Sequence, residues 1–585
     1  MEREPTCIGW VRHVLGATVT VELDPELAGV SPVWEGRLQP IGQVGSLVRL
    51  PQGPVTLLAA VTLVGIAELS GPLAPSTSTE LGDRWLQVQL LGEVDGLGRF
   101  QRGVSTYPGL DDPVHFATPI QLAAVYPSAG EDRVRLGGLS AAPSVPMTLA
   151  TGPLVMRHSA VVGSTGAGKT SAVATLIQSF THGGWSAANI VVIDPHGEYA
   201  AAFADQASVR SVLGSGDKLL RVPFWALPAD DILQAFCGPV ESATPRSRFA
   251  ELVAQHRRSF ARDAAWLDLE PSAVGADTPI PFDLRAVWHR LDYENSATFS
   301  QQGGGGDVCE VDPGEPASLR PAQFETYSLG NRAPFKSPLF GSIGTVPERL
   351  RRRLGDDRLR FFLEPQGDPD GGDPLPIVLD EWLGSAAPVS VLDFSGVPPD
   401  AADLAIGVVL QLLFEVATRC TDDGIGRARP VLVVLEEAHR YLNEHVGTAR
   451  LARSVVNRIA REGRKYGVGL LLVTQRPSEL PSTALAQVGT VVALRLTNGT
   501  DQGVVKAALP DSVAGLADAL PSLRTGEAIV AGEAVALPAR VLIDRPDPTP
   551  AAGDPTLASW RQEAIPNDLN TAVARWRGTG DGGGA

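Results

Sequence analysis

GSTGAGKT, residues 163 to 170, is the stretch on which the fold turns. It fits the pattern G-x-x-x-x-G-K-[ST], and its neighbours give it the right setting. SAVVGS (159–164) reads as a buried strand and TSAVATLIQSF (170–180) as a helix, so the loop joins strand to helix. Glycines there let successive N–H groups curl around a phosphate, while a lysine reaches its outer oxygens and a hydroxyl turns to Mg²⁺. The expected phosphate cradle is Gly163, Ser164, Thr165, Gly166, Ala167, Gly168, Lys169, Thr170 and Ser171, with Thr170 on the metal. Only Lys169, Lys218, Lys336, Lys465 and Lys506 stand among the 49 basic residues, so a lysine at this position carries weight that another arginine would not.

A loop of this kind needs acids from a neighbouring strand. VLVVLEEAHRYL (431–442) runs five apolar residues into Glu436 and Glu437; the first is expected to hold the Mg²⁺ shell and the second to polarise the attacking water. VVIDPHGEYA (191–200) carries Asp194, His196 and Glu198 on a strand one step after the loop, whose end should open on the same edge of the sheet. Asp194 is expected to help position Mg²⁺ or water, and Glu198 competes with Glu437 as the base. A transition-metal site built from this trio would have an incomplete ligand set. Gln475, closing the strand in LLLVTQRPSELP (470–481), is placed to report the γ-phosphate. In ARLARSVVNRIAREGRK (449–465), Arg450, Arg453, Arg458, Arg461, Arg464 and Lys465 share one helical face, and Arg461 and Arg464 are the candidates for a finger reaching a neighbour's nucleotide.

Away from these motifs, residues 8 to 126 break into short β-type runs between Gly and Pro, among them GATVTVEL, SLVRL and RWLQVQLLGEV, which suggests a small barrel. The strand and helix alternation of an α/β core starts after Ser144, lapses between about 230 and 374, and resumes with VSVLDFSGV (389–397). The expected organisation is a barrel and junction (1–145), a first core segment (146–235), a partly helical insertion (236–375), a second core segment (376–545) and a tail (546–585) ending in Gly-rich RGTGDGGGA. Within the insertion, SQQGGGGDVCEVDPGEPASLRP (300–321) reads as linker. Four scattered cysteines suggest neither zinc nor disulfides, and no apolar run is expected to span a membrane, which points to the cytoplasm. A net charge of −17 excludes general coating by nucleic acid and confines any DNA contact to a local basic surface.

The motifs GSTGAGKT, IDPHGEY, LEEAHRYL, REGRKYG and VTQRPSELP, in that order, with IGWV (8–11) and RFQRGVSTYPGLDDPVHFAT (99–118) upstream, resemble the HerA family of bacterial and archaeal ATPases, in the HerA/FtsK branch. The resemblance implies an α/β RecA-like P-loop core carrying an N-terminal HAS-barrel and a mostly helical insertion. It implies ATP and Mg²⁺ as cofactors, and a homohexamer that hydrolyses ATP between subunits while drawing double-stranded DNA through a central pore. It also implies a partner at the barrel face, either a NurA-like nuclease in DNA end processing or, in bacterial anti-phage defence, a sirtuin-like or other effector; the bacterial defence type is favoured here by the long insertion. Glu436 departs from the Asp common in relatives. Two other expectations compete: an ATP-binding ring that activates an effector nuclease with little translocation, and a conjugation or secretion ATPase.

Overall fold

A computed structural model of the protein describes residues 4–27, 33–34, 37–38, 43–66, 84–214, 218–363, 368–383, 387–420, 424–443, 450–509, 514–551 and 569–576. The Gly-rich end at 577–585 lies outside the described residues. Two compact units emerge: one of residues 1–209, 381–393 and 413–550, the other of 210–380, 394–412 and 551–585.

Among the described residues the first unit opens with a seven-stranded sheet: β1 (Cys7–Leu15), β2 (Thr18–Leu23), β3 (Leu47–Gln52), β4 (Val55–Ile66), β5 (Arg84–Val94), β6 (Phe100–Arg102) and β7 (Pro113–Phe116). Six of them close a barrel in the order β2-β1-β7-β3-β4-β5, with β5 pairing back to β2, and β6 extends β5. Strand alternation explains the closure: Val19, Val21 and Leu23 of β2 are buried between half-exposed neighbours, and they meet Val11, Val48, Leu57 and Val88 inside. Full pairing removes the open edges that a small sheet would otherwise present.

The α/β core follows. Its strands are β8 (Arg133–Leu139), β9 (Ala142–Ala150), β10 (Ser159–Val162), β11 (Ile190–Asp194), β12 (Ala207–Ser211), β13 (Val389–Asp393), β14 (Val431–Leu435), β15 (Val468–Thr474), β16 (Thr490–Leu494), β17 (Glu527–Gly532) and β18 (Ala539–Ile543). They form one sheet in the order β9-β8-β18-β17-β16-β10-β15-β14-β11-β13-β12. From β16 to β13 the pairs are parallel, and from β16 back to β9 they are antiparallel. Every residue of β10, β11, β14, β15 and β16 is buried, which is why those segments read as unbroken apolar runs rather than alternating ones. Each fully buried Val or Leu there is worth about 1.5–3 kcal/mol of transfer free energy.

Helix α1 (Lys169–Thr181) leaves β10 through the Gly-rich loop, and α2 (Pro399–Arg419), α3 (Ala438–Leu442) and α4 (Arg450–Tyr466) belong to the later strands. Contrary to the sequence expectation, α2 is long and apolar enough to cross a membrane by length and composition, with mean hydropathy 1.7 over its best window. The fold buries 83% of that window, as a core helix requires, so length and composition are weak evidence for a span.

The second unit is mostly helical, with Ala229–Cys237, Ala243–Asp263, Leu284–Ser296 and Val346–Leu354 among its helices. Phe224, Phe236, Phe282 and Phe362 cluster within it, and Arg257, fully buried, donates to the carbonyls of Leu227, Trp225 and Ala276. The tract 300–321 is not a linker: Glu310–Asp312 pairs with Gln323–Phe324, Val308 bridges back to Phe299, and Glu315 bridges to Arg320. Its glycines at 303, 304, 306 and 314 have positive φ, so the composition serves tight turns.

Candidate active site

Strand order brings the chemistry together. β15 lies between β10 and β14, and β14 between β15 and β11, so the loops after β10, β15, β14 and β11 line up along one C-terminal edge. Register keeps them level: Val162 stands opposite Thr474, Leu472 opposite Leu435, and Leu435 opposite Ile193. Ligands in open α/β sheets bind beyond such an edge.

The loop at 163–170 is folded for anion binding. Gly166 (φ 72°) and Gly168 (φ 101°) occupy left-handed backbone, and Gly168 caps α1. The loop is braced from behind: Gly163 donates to the Thr474 carbonyl (3.3 Å), Ser164 to that of Arg495 (2.8 Å), and Gly526 to that of Ala167 (3.0 Å). The Ser164 hydroxyl sits 3.3 Å from that of Thr497. Lys169 is 9% exposed, while Thr165 and Gly166 face outward. The first-turn amides of α1, at Lys169, Thr170 and Ser171, have no carbonyl within the helix and so are free to point at a phosphate.

The acids divide their work in a way the sequence did not reveal. Asp194 is fully buried, its Oδ1 accepting from the amides of His196 (3.2 Å) and Gly197 (2.9 Å) and its Oδ2 from Tyr199 (2.9 Å). Burial pushes its carboxyl above the usual range, against those amide bonds. These bonds tie the Asp194 carboxylate to the loop that presents Glu198. Glu198 accepts from the Thr170 hydroxyl at 2.9 Å. Glu436 is 3% exposed, receives the Tyr199 hydroxyl at 3.3 Å, and is pushed up to about 8 by burial and then by Glu437, Asp194 and Glu198, with Lys169 opposing. Gln475 accepts from the Thr165 hydroxyl at 2.6 Å, so it stands against the phosphate loop.

Such crowding of carboxylates around one lysine suits a divalent cation with oxygen ligands. Among the described residues no three His, Cys, Asp or Glu side chains converge as a protein-only metal cage, so the His196 trio is not one. That combination fits Mg²⁺, which favours one or two protein ligands plus phosphate oxygens and water. Thr170 and Glu436 are the residues that would serve it, with Glu198 accepting from the Thr170 hydroxyl.

Glu437 caps α3 with φ 50° and ψ 43°, a left-handed conformation unusual for a residue with a side chain. His439 stands beside it, 8% exposed, with burial holding its imidazole below the ordinary value against the pull of Glu437. Of the basic face on α4, Arg453 donates to the Asn443 carbonyl (2.8 Å) and Arg458 pairs with Glu415 (3.0 Å) while lying over Phe414. Arg461 and Arg464 are exposed and make no ion pair among the described residues. They sit at the end of α4 that leads into the start of β15, the sheet edge opposite this chain's own phosphate loop. Residues missed in the sequence reading include Tyr199, His439, Thr474 and Thr497. The first three lie inside motifs already quoted, one and two residues beyond Glu198 and Glu437 and one before Gln475, and their types alone were the available signal.

Residues 134–307 match the family model described as Helicase HerA, central domain, and residues 389–543 the one described as Helicase HerA-like C-terminal. A protein of Pyrococcus furiosus named DNA double-strand break repair helicase HerA is 28% identical over 497 residues, covering 78% of this chain and 76% of that one. One of the same name from Sulfolobus acidocaldarius is 26% identical over 496 residues, covering 84% of each. Among solved structures, VirB4 of Thermoanaerobacter pseudethanolicus aligns with 71% of this chain and 97% of its own, at 12% identity and a TM-score of 0.45, a likeness too distant to bear on function.

Proposed function

Because this chain belongs to the HerA helicase family, we propose that it is an ATP hydrolase that uses ATP with Mg²⁺ to drive movement on DNA. The observation that carries this reading is the convergence of Lys169, Thr170, Glu198, Glu436, Glu437 and Gln475 on one edge of a single sheet. The α1 amides and Lys169 hold the phosphates, Glu436 and Thr170 hold the cation, and Glu437 or Glu198 takes the proton of the attacking water. Mg²⁺, when bound, neutralises charge on the β and γ oxygens. Gln475, fixed to Thr165, senses whether the γ-phosphate is present.

The working form is a homo-oligomer, a hexamer, with duplex DNA in its lumen. What supports assembly is the place of Arg461 and Arg464: exposed at the far sheet edge, they have no access to their own nucleotide and are free to reach a neighbour's. A nuclease or other effector docks on the barrel, and the complex works in the cytoplasm on DNA ends. The Pyrococcus furiosus and Sulfolobus acidocaldarius relatives are archaeal and named for double-strand break repair, which favours end processing over a bacterial anti-phage role. Displacement of a triplex-forming strand from duplex DNA tests the whole reading: wild-type protein should displace it only with ATP and Mg²⁺, and Lys169→Ala should abolish both displacement and ATP turnover. ATP-independent displacement, or turnover that survives in Lys169→Ala, would refute it.

A further inference from the structure

Glu437 has a neighbour that the nucleotide chemistry does not explain. Its Oε2 is buried and makes no aligned hydrogen bond, although His439 Nδ1 lies only 3.1 Å away. The same Nδ1 is 3.2 Å from the Thr474 hydroxyl and is hydrogen-bonded to it. One imidazole nitrogen therefore stands between two oxygens, one on the acid after β14 and the other on the last residue of β15. Thr474 is itself held, since its hydroxyl accepts from the Arg476 amide at 3.0 Å and its carbonyl from Gly163. Its next neighbour, Gln475, touches Thr165 of the phosphate loop.

The protonation of that nitrogen follows from its surroundings. A bare Nδ1 would put its lone pair against the carboxylate of Glu437 at hydrogen-bond distance, which is repulsive; an Nδ1–H would give the orphaned oxygen a donor after a small turn of either side chain. An unmade bond at a buried carboxylate is costly, so the pair is poised to close. The left-handed backbone at Glu437 points the same way, because such strain persists only where the surroundings over-determine it, and it marks sites that must hold an uncommon orientation.

We propose that His439 is a positioning residue for ATP hydrolysis: its Nδ1–H fixes the carboxylate of Glu437 and ties it through Thr474 to the Gln475 sensor. When the γ-phosphate draws Gln475 and the end of β15, the imidazole turns from Thr474 towards Glu437 and aims the carboxylate at water. His439 touches neither nucleotide nor metal, and acts only through Glu437. This inference rests on the reading of the chain as an ATP hydrolase with Glu437 as base.

The test is steady-state ATPase kinetics on the full chain with duplex DNA present, comparing His439→Ala, His439→Asn and His439→Gln. An Asn amide nitrogen falls near Nδ1 and a Gln amide near Nε2, so the two separate hydrogen bonding from space filling. His439→Ala and His439→Gln should lower kcat about 10- to 100-fold, the range for a misplaced reacting group, with KM for ATP unchanged. His439→Asn should recover most of the loss. On a Glu437→Gln background, His439→Ala should remove nothing further. If Gln restores activity and Asn does not, the residue only fills space and the proposal falls; it falls equally if His439→Ala turns over like wild type, or if the loss appears in KM. Should His439→Ala fail to fold, the comparison of Asn with Gln decides alone. Absence of ATPase activity in the wild type would instead overturn the proposed function, a result distinct from these.

Discussion

Glu527 offers the sharpest test of how the phosphate loop is held. It opens β17 with no exposed surface, and its two oxygens accept from Arg540 (2.7 and 2.9 Å), the Ser140 hydroxyl (2.6 Å), and the amide and side chain of Arg524 (3.1 and 3.3 Å). The residue before it, Gly526, donates to the Ala167 carbonyl and packs against Gly168, whose added Cβ would lie 3.4 Å from the Gly526 nitrogen. Burial alone would raise the Glu527 carboxyl, yet the bonds from Arg540, Ser140 and Arg524 outweigh it and bring it to about 2 from the ordinary 4.5. At about 1.4 kcal/mol per tenfold in acidity, that depression is worth roughly 3 kcal/mol of native-state stability. Because the folded value is the lower one, the contribution is complete above pH 4.5 and disappears as the pH falls towards 2. Glu527→Gln loses the charge and turns an amide nitrogen towards donors, so it should cost about 2–3 kcal/mol at pH 7 and nearly nothing near pH 2. Hydrogen exchange in peptides covering 524–543, measured with and without the substitution across that range, reads the local loss directly. ATP affinity at pH 7 should fall about 5- to 10-fold as the turn behind Ala167 loosens. If exchange rates in the variant match wild type at pH 7, or the gap fails to shrink in acid, the bonded carboxylate does not hold this turn.

Two further outcomes are expected. Glu436, pushed up to about 8 from 4.5, is a raised carboxylate, so its neutral form suits the fold below pH 4.5 and the nucleotide-free protein loses stability as the pH climbs through 8. Glu436→Gln should therefore stabilise the nucleotide-free protein at pH 8, by up to about 5 kcal/mol, and leave it unchanged at pH 4.5; Mg²⁺ with nucleotide should narrow the gap, and melting curves without that pH dependence would refute the assignment. Arg461→Ala and Arg464→Ala should keep ATP binding but lose turnover, and small doses of either variant mixed into wild-type protein should depress activity more than in proportion. Strictly proportional loss in the mixing titration would argue against catalysis between subunits.

The sequence by itself determined what is local in the chain. A phosphate cradle is built from consecutive backbone amides, so GSTGAGKT carries its chemistry wherever the strand and helix around it are packed. The barrel was legible for a similar reason, since alternation in GATVTVEL needs only one buried face, and the apolar runs ending at Glu436 and Gln475 marked strand ends that carry polar side chains. Strand order was not legible, because β10, β11, β14 and β15 are buried on both faces and their apolar patterns are interchangeable. Only packing inserted β15 and β14 between β10 and β11, and only packing spent the Asp194 carboxylate on the amides of its own loop while leaving Glu198 to meet Thr170. The Gly-rich tract at 300–321 misled for the converse reason: composition reports the backbone freedom of glycine, whereas the strand Glu310–Asp312 formed there depends on partners more than ten residues away. Residue types thus set the available chemistry, and long-range pairing decided which groups face the same nucleotide.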